Sequence, residues 1–352
     1  MQPETLLRRA LVVVCISAGT TVASSQELPR TPSGRPDLSG TYDIANLTPF
    51  EREARFGDRL VLTDEEAKAI EQQRAGFLAF ANRQSDPNRE APPQGGDGSG
   101  GAAGKVGGYN AFWIDAGSRP LPIDGQYRTS ILTDPPNGRL PELTPEGKKR
   151  RDAINPYITE NTGDAWWLET GDDPFDGPES LTTVDRCLYV GVATLPARSV
   201  PYNNLKRIVQ TEDHVMIEIE WMHWVRVIRL DSEHAPPEIL SMSGDSIGRW
   251  EGDTLVVETT SFMERPNVPR PGLRIAERFS LQDPETLLYE FTVHDPEYVA
   301  PYSGAMPWPR TGDRLFEYAC HEGNYAMGNI LRGARLLEKE KLERTKSSSE
   351  DD

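Results

Sequence analysis

Gly244-Asp-Ser-Ile-Gly-Arg-Trp-Glu-Gly-Asp-Thr-Leu-Val-Val-Glu-Thr-Thr-Ser-Phe262 reads as a strand, a tight turn and a second strand. Glu251-Gly252-Asp253 carries the turn, because glycine reaches positive φ without a Cβ clash and aspartate bonds its own backbone. Past the turn, Leu255, Val257 and Thr259 point one way while Thr254, Val256 and Glu258 point the other. That period of two belongs to a sheet with a buried face. The same grammar recurs at 205–210, 215–230, 273–281, 287–294 and 314–319, and Asp283-Pro-Glu-Thr286 is a hairpin turn. The stretch 215–230 is too long for one ordinary strand, so a bend is expected near 220–224. The predicted fold is mainly β. It is an antiparallel meander forming a barrel or strongly curved sheet over 181–325, lipocalin-like by analogy of architecture, with a few peripheral helices. Trp250 would plug one end, with Arg249 paired to a nearby acid or carbonyl.

Outward from the sheet, residues 26–180 are expected to form an irregular and helical region with short strands packed on the barrel. A strand at 40–44 is followed by Thr63-Asp-Glu-Glu66, a capping box that starts a helix running to about Asn82. Short strands are expected at 110–115 and 127–133. Thr144 caps a second helix with Pro145 in its first position. Trp166-Trp167 sits in an acidic irregular stretch as an anchor to the core or as a ligand wall. Residues 326–352 are expected as a C-terminal helix to about Arg344 and a disordered tail from Ser347. The stretch 91–108 reads as a solvated loop. Its Gly96-x-Gly98-x-x-Gly101 matches a dinucleotide fingerprint by letter only, with no strand before it and no helix after.

Residues 1–25 read as a secretory signal peptide: Arg8 and Arg9, an apolar run from Ala10 to Ala18, then Ala23-x-Ser25. The run is shorter than a membrane span and no later stretch is long enough, so a periplasmic or secreted location without an integral segment is expected. Cys15 falls in the signal, leaving Cys187 and Cys320, which in an oxidising compartment are expected to form a disulfide joining the first strand of the β-rich half to the last, or to stay as two buried thiols. The net charge of −17 repels phosphate backbones and disfavours nucleic acid as a partner.

Four long motifs resemble a family of secreted bacterial proteins whose function is uncharacterised. They are Gly34-Arg-Pro-Asp-Leu-Ser-Gly, Gly248-Arg-Trp-Glu-Gly-Asp-Thr-Leu-Val-Val-Glu-Thr-Thr, Leu288-Tyr-Glu-Phe-Thr-Val-His-Asp-Pro and Tyr318-Ala-Cys-His-Glu-Gly-Asn-Tyr325. The resemblance spans most of the chain and implies no chemistry.

Candidate site residues therefore come from residue types and their places. His223, at the expected bend, and His321, where a strand ends, are two of five histidines and candidates to move a proton, with Tyr325 as a third catalytic candidate. Trp221 and Trp224 offer an aromatic wall, Arg226 or Arg249 an anchor for a carboxylate or oxyanion, and Tyr202 a hydrogen bond. This set suits a cofactor-independent lyase, dehydratase or isomerase acting on a lipophilic or aromatic small molecule. The alternative is a non-catalytic protein of the cell envelope that sequesters a hydrophobic ligand. A third reading is an envelope interaction module. The histidines also have a bland reading, in which they cap strands or bond backbone carbonyls. No paired spacing supports a metal site at His223, His234, His321 and Glu322, and no cofactor or oligomeric state is implied.

Overall fold

A computed structural model describes residues 27–83, 88, 114–154, 163–171, 174–189, 191–265 and 268–350. The expected signal segment, the glycine-rich stretch 91–108 and most of the strand expected at 110–115 lie outside the described residues. Fourteen short or long strands appear among them. In chain order they are β1 (Gly40–Asp43), β2 (Pro122–Ile123), β3 (Gln126–Tyr127), β4 (Leu132–Asp134), β5 (Leu205–Gln210), β6 (His214–Ile219) and β7 (Trp224–Leu230). Then follow β8 (Asp245–Glu251), β9 (Thr254–Thr260), β10 (Met263–Arg265), β11 (Val268–Pro269), β12 (Arg274–Asp283), β13 (Thr286–His294) and β14 (Tyr302–Pro309).

Ten of these make one curled sheet in the order β1-β5-β6-β7-β8-β9-β12-β13-β14-β4, with two-stranded hairpins β2-β3 and β10-β11 beside it. The curl brings the outer strands together: Tyr42 and Arg310 form an antiparallel bridge, and Thr311 N–H donates to the Thr41 carbonyl at 2.9 Å. Inward residues alternate along each strand as the sequence requires. Leu255, Val257 and Thr259 of β9 are buried, as are Ile275, Glu277, Phe279 and Leu281 of β12. Leu287, Tyr289, Phe291 and Val293 of β13 continue the same inner face. The β8-β9 turn places positive φ at Gly252 alone of its two central residues, with Glu251 opposite Thr254.

Two sheet expectations are corrected. One neighbouring pair, β7 and β8, is parallel, with Ile228 opposite Ser246. The connector 231–244 is long enough to carry the chain back for a parallel start, and His234 Nδ1 fixes it at 2.8 Å from Asp245 Oδ2. The stretch 314–319 is not a strand but crosses one end of the sheet. The last long strand is instead β14, whose Pro307 and Pro309 hide it from a propensity reading. Proline is tolerated because the outer edge of β14 is paired only at Ser303–Gly304 with β4 and at Arg310 with β1. The bend in 215–230 is a short turn, Trp221–His223, where Met222 and His223 both take positive φ.

Around the sheet lie α1 (Asp64–Ala81), α2 (Pro145–Ile154), two single-turn helices α3 (Trp167–Thr170) and α4 (Gly191–Thr194), and α5 (Tyr325–Glu350). The Thr63–Glu66 capping box is formed in both directions, and Thr144 Oγ1 accepts from Gly147 N–H at 3.1 Å. Helix α5 continues through the stretch expected as a tail from Ser347. Lys341 pairs with Asp164 at 2.9 Å and Glu169 at 2.6 Å, and Trp167 Nε1 donates to Glu338 at 2.7 Å. Trp167 thus packs with Ala165 and Ala334 in a small second core rather than in the barrel.

The first and last strands are clasped by Arg310. Its guanidinium donates to the backbone carbonyls of Asp37, Ser39 and Pro284 and lies 5.0 Å from the centre of the Tyr42 ring. A Cβ at Gly40 would stand 2.2 Å from Arg310 Nη1, so only glycine leaves room for the clasp. Nearby, Arg30 pairs with Asp253 through two bonds of 3.0 and 2.8 Å, and Arg35 lies 5.9 Å over Trp250. The first two sequence motifs therefore meet at the hairpin end of the sheet.

Candidate functional site

At the opposite end, three chain segments converge: 187–204, the turn 220–224 and 311–324. A disulfide joins Cys187 to Cys320. Both cysteines sit in loops, rather than in the first and last strands of the β-rich half. Tyr202 stacks on Trp221 with ring centres 4.8 Å apart, and Tyr318 lies 5.7 Å from Trp221 and 6.1 Å from Tyr202. On the far side of the turn, Trp224 meets Tyr189 edge to face at 4.9 Å. Burial drives the Tyr189 hydroxyl up to about 12, so it stays a neutral hydrogen-bonding group.

These aromatic rings carry two donors with no acceptor. The indole Nε1 atoms of Trp221 and Trp224 are buried and have no hydrogen-bond partner among the described residues. Buried indole N–H groups usually find one. Next to the stack, a groove of about 450 Å³ is lined by Asp43, Asn204, Leu205, Glu220, Asp313 and Phe316, among others. Burial raises the Asp43 carboxyl above its ordinary range, and the neighbouring Asp115, Asp313 and Glu220 push it the same way.

Beneath the mouth, two cations point into the sheet. Arg226 is 3% exposed and nearly saturated with partners. It pairs with Glu277 through both terminal nitrogens, donates from Nε to Ser246 Oγ at 3.0 Å, and reaches Thr259 Oγ1 at 2.9 Å. Tyr289 O–H donates to Glu277 at 2.9 Å and accepts from Ala197 N–H at 3.1 Å. This network ties the 187–204 segment to the inner wall. The other cation is Lys206 on β5, wholly buried, whose Nζ has no hydrogen-bond partner among the described residues. Burial lowers its amine to about 7, and Glu220 opposes that only partly.

Most residues singled out from the sequence come together here, with different roles. Tyr202, Trp221 and Trp224 form the aromatic wall. His223 is exposed, and its Nε2 accepts the Tyr318 N–H at 3.0 Å, which occupies the lone pair a base would use. His321 is exposed on the following loop, and Tyr325 is 79% exposed at the start of α5. Arg226 is held internally rather than offered to a ligand. Arg249 lies at the other end, beyond the level where Leu230 pairs with Gly248, and bonds Glu251 at 2.6 Å. His234 contacts Asp245 and Glu258 on the outer face. Among the described residues, no group of three or more His, Cys, Asp or Glu side chains is arranged to hold a metal ion.

Sequence reasoning did not pick out Lys206, Glu277, Tyr289, Tyr189 or Tyr318. Glu277 left a signal, since alternation sets it between Ile275 and Phe279 on an apolar face. Lys206 left none, because both faces of Leu205-Lys-Arg-Ile-Val-Gln mix charge and hydrocarbon. In comparisons with known proteins, no family model, curated protein or solved structure matches the chain.

Proposed function

We propose that this chain is an exported protein that holds an oxygen-bearing aromatic or lipophilic small molecule at the disulfide-bound mouth of its curled sheet. One observation carries the reading: two buried indole N–H groups without acceptors, Trp221 and Trp224, sit on one turn inside a wall of aromatic rings. Flat rings favour a flat or greasy partner, and unpaired buried donors favour one that brings an oxygen acceptor. The Cys187–Cys320 bond and the absence of any helix long and apolar enough to cross a membrane, among the described residues, agree with an extracellular setting. Binding, rather than turnover by His223, His321 and Tyr325, is what the geometry supports. His223 already spends its Nε2 on backbone.

Tryptophan fluorescence and native mass spectrometry test this with paired probes, acetophenone against ethylbenzene and a benzoate ester against its hydrocarbon analogue. The oxygenated member of each pair is expected to bind more tightly, and Trp221→Phe, which keeps a ring but loses the N–H, to weaken it about 5- to 15-fold. Equal binding of both members, or a Trp221→Phe protein indistinguishable from wild type, sinks the proposal.

A further inference from the structure

The segment 312–319 runs along the mouth as a strap with both ends fixed. Thr311 N–H donates to the Thr41 carbonyl of β1 at 2.9 Å, and Cys320 is bonded to Cys187. Between these anchors two bonds tie the strap to the turn after β6. Phe316 N–H donates to Glu220 Oε1 at 3.0 Å, and Tyr318 N–H donates to His223 Nε2 at 3.0 Å. A backbone amide can only donate, so His223 offers a bare Nε2 and carries its ring proton on Nδ1. The turn is also strained, because Met222 and His223 are consecutive non-glycine residues in the left-handed region, at φ 61° and 51°. What the second bond holds in place is Tyr318, whose ring lies against Trp221 and Tyr202.

We propose that the turn 220–223 is a proton-sensitive latch on this strap: when His223 takes up a proton, Tyr318 is released and the aromatic stack opens. The proton fills Nε2 and turns it from an acceptor into a donor, so two N–H groups face each other across 3.0 Å. That bond is lost, and the strained turn is free to relax. The bond to Glu220 behaves differently, because a carboxyl group keeps an acceptor oxygen whether or not it is protonated. Phe316 is then the pivot and Tyr318 the part that lifts. The closed strap favours the neutral imidazole, so closure is complete at high pH. It weakens as pH falls through about 6.5, where histidine ordinarily gains its proton. The charged and titratable groups around the latch come from every element packed on it. They are Glu220 on the turn, Lys206 of β5 and Asp43 of β1 beside Glu220, Asp115, and Asp313 and Arg314 on the strap. Glu317 precedes Tyr318 in the chain, and the Tyr202 ring lies across the stack. Acidic groups outnumber basic ones, so the surroundings do not oppose the incoming proton. The latch works with or without a ligand, and its failure would leave the binding reading standing.

Hydrogen exchange at single-amide resolution on the intact, oxidised protein reads the latch directly. With the intrinsic pH dependence of exchange divided out, protection of the Tyr318 amide is expected to fall about 5- to 10-fold from about pH 7.5 to about pH 5, the loss of one hydrogen bond. Amides of β12 and β13 should hold their protection, which also checks that each variant is folded. His223→Gln puts a carbonyl that does not titrate at similar reach, and His223→Ala removes the acceptor. In both variants the pH dependence at Tyr318 should vanish. A wild-type Tyr318 amide equally protected at the two pH values overturns the latch, and so does a fall that persists in the variants.

Discussion

Arg226 and Lys206 face into the same curled sheet, and the protein treats them in opposite ways. Around Arg226 every neighbour answers the charge: a carboxylate, two hydroxyls and a tyrosine that shares the carboxylate. Around Lys206 the register supplies a tyrosine already committed elsewhere and an isoleucine. A guanidinium cannot shed its proton in a protein, so its site must be completed by fixed partners. An amine can shed its proton, so its site can be left unfinished. The completed site works as a brace between the barrel wall and the 187–204 segment. The unfinished one leaves a buried amine with no hydrogen-bond partner among the described residues.

The largest expected effect comes from breaking the brace. Glu277→Ala leaves Arg226 buried and uncompensated and should cost about 3–5 kcal/mol in denaturant unfolding. A smaller loss would mean that Ser246 and Thr259 suffice for the guanidinium. The opposite sign is expected for Lys206→Met, which removes an unpartnered amine and should stabilise by about 2 kcal/mol at pH 6. The native amine sits near 7 against an ordinary 10.5. Between those values the unfolded chain binds more protons, so wild-type stability rises with pH and the penalty is whole only below 7. The advantage of Lys206→Met should therefore shrink as pH climbs from 7 towards 10.5, measured by urea melts across that range. A constant advantage would mean that the amine is charged inside the fold. Least of all should matter Arg249→Ala, since its pair with Glu251 is exposed. The expected change is within about 0.5 kcal/mol, and a larger one would give the hairpin end a burden that its geometry does not indicate.

The contrast between the two cations also marks how far the sequence could be read. Strand positions were legible wherever one face was clean: Leu255, Val257 and Thr259 announce an inner wall, and Ile275, Glu277 and Phe279 even betray a buried acid. The disulfide was legible as one of two options, because two cysteines remain once Cys15 is assigned to the expected signal segment. The capping box at Thr63 and Glu66 is a local device and formed as written. Illegible were the features set by neighbours distant in the chain. Whether Lys206 faces inward depends on Tyr42 and Ile219 lying beside it. The strand at 302–309 carries two prolines that only an incompletely paired edge accepts. His223 looked like a base because nothing near it in sequence shows that Tyr318 N–H will claim its Nε2. The aromatic mouth was half visible, since Trp221 and Trp224 advertise it while Tyr318 comes from nearly a hundred residues later.

The clasp at Arg310 has a consequence for how the molecule is made. Its partners at Asp37 and Ser39 emerge 273 and 271 residues before the side chain that joins them. Until then β1 has one bare flank, and no local contact can cover it. Closure by such distant contacts slows folding and leaves intermediates prone to sticking to one another. A chain truncated just before residue 310 would keep every described strand and still be left with that open seam.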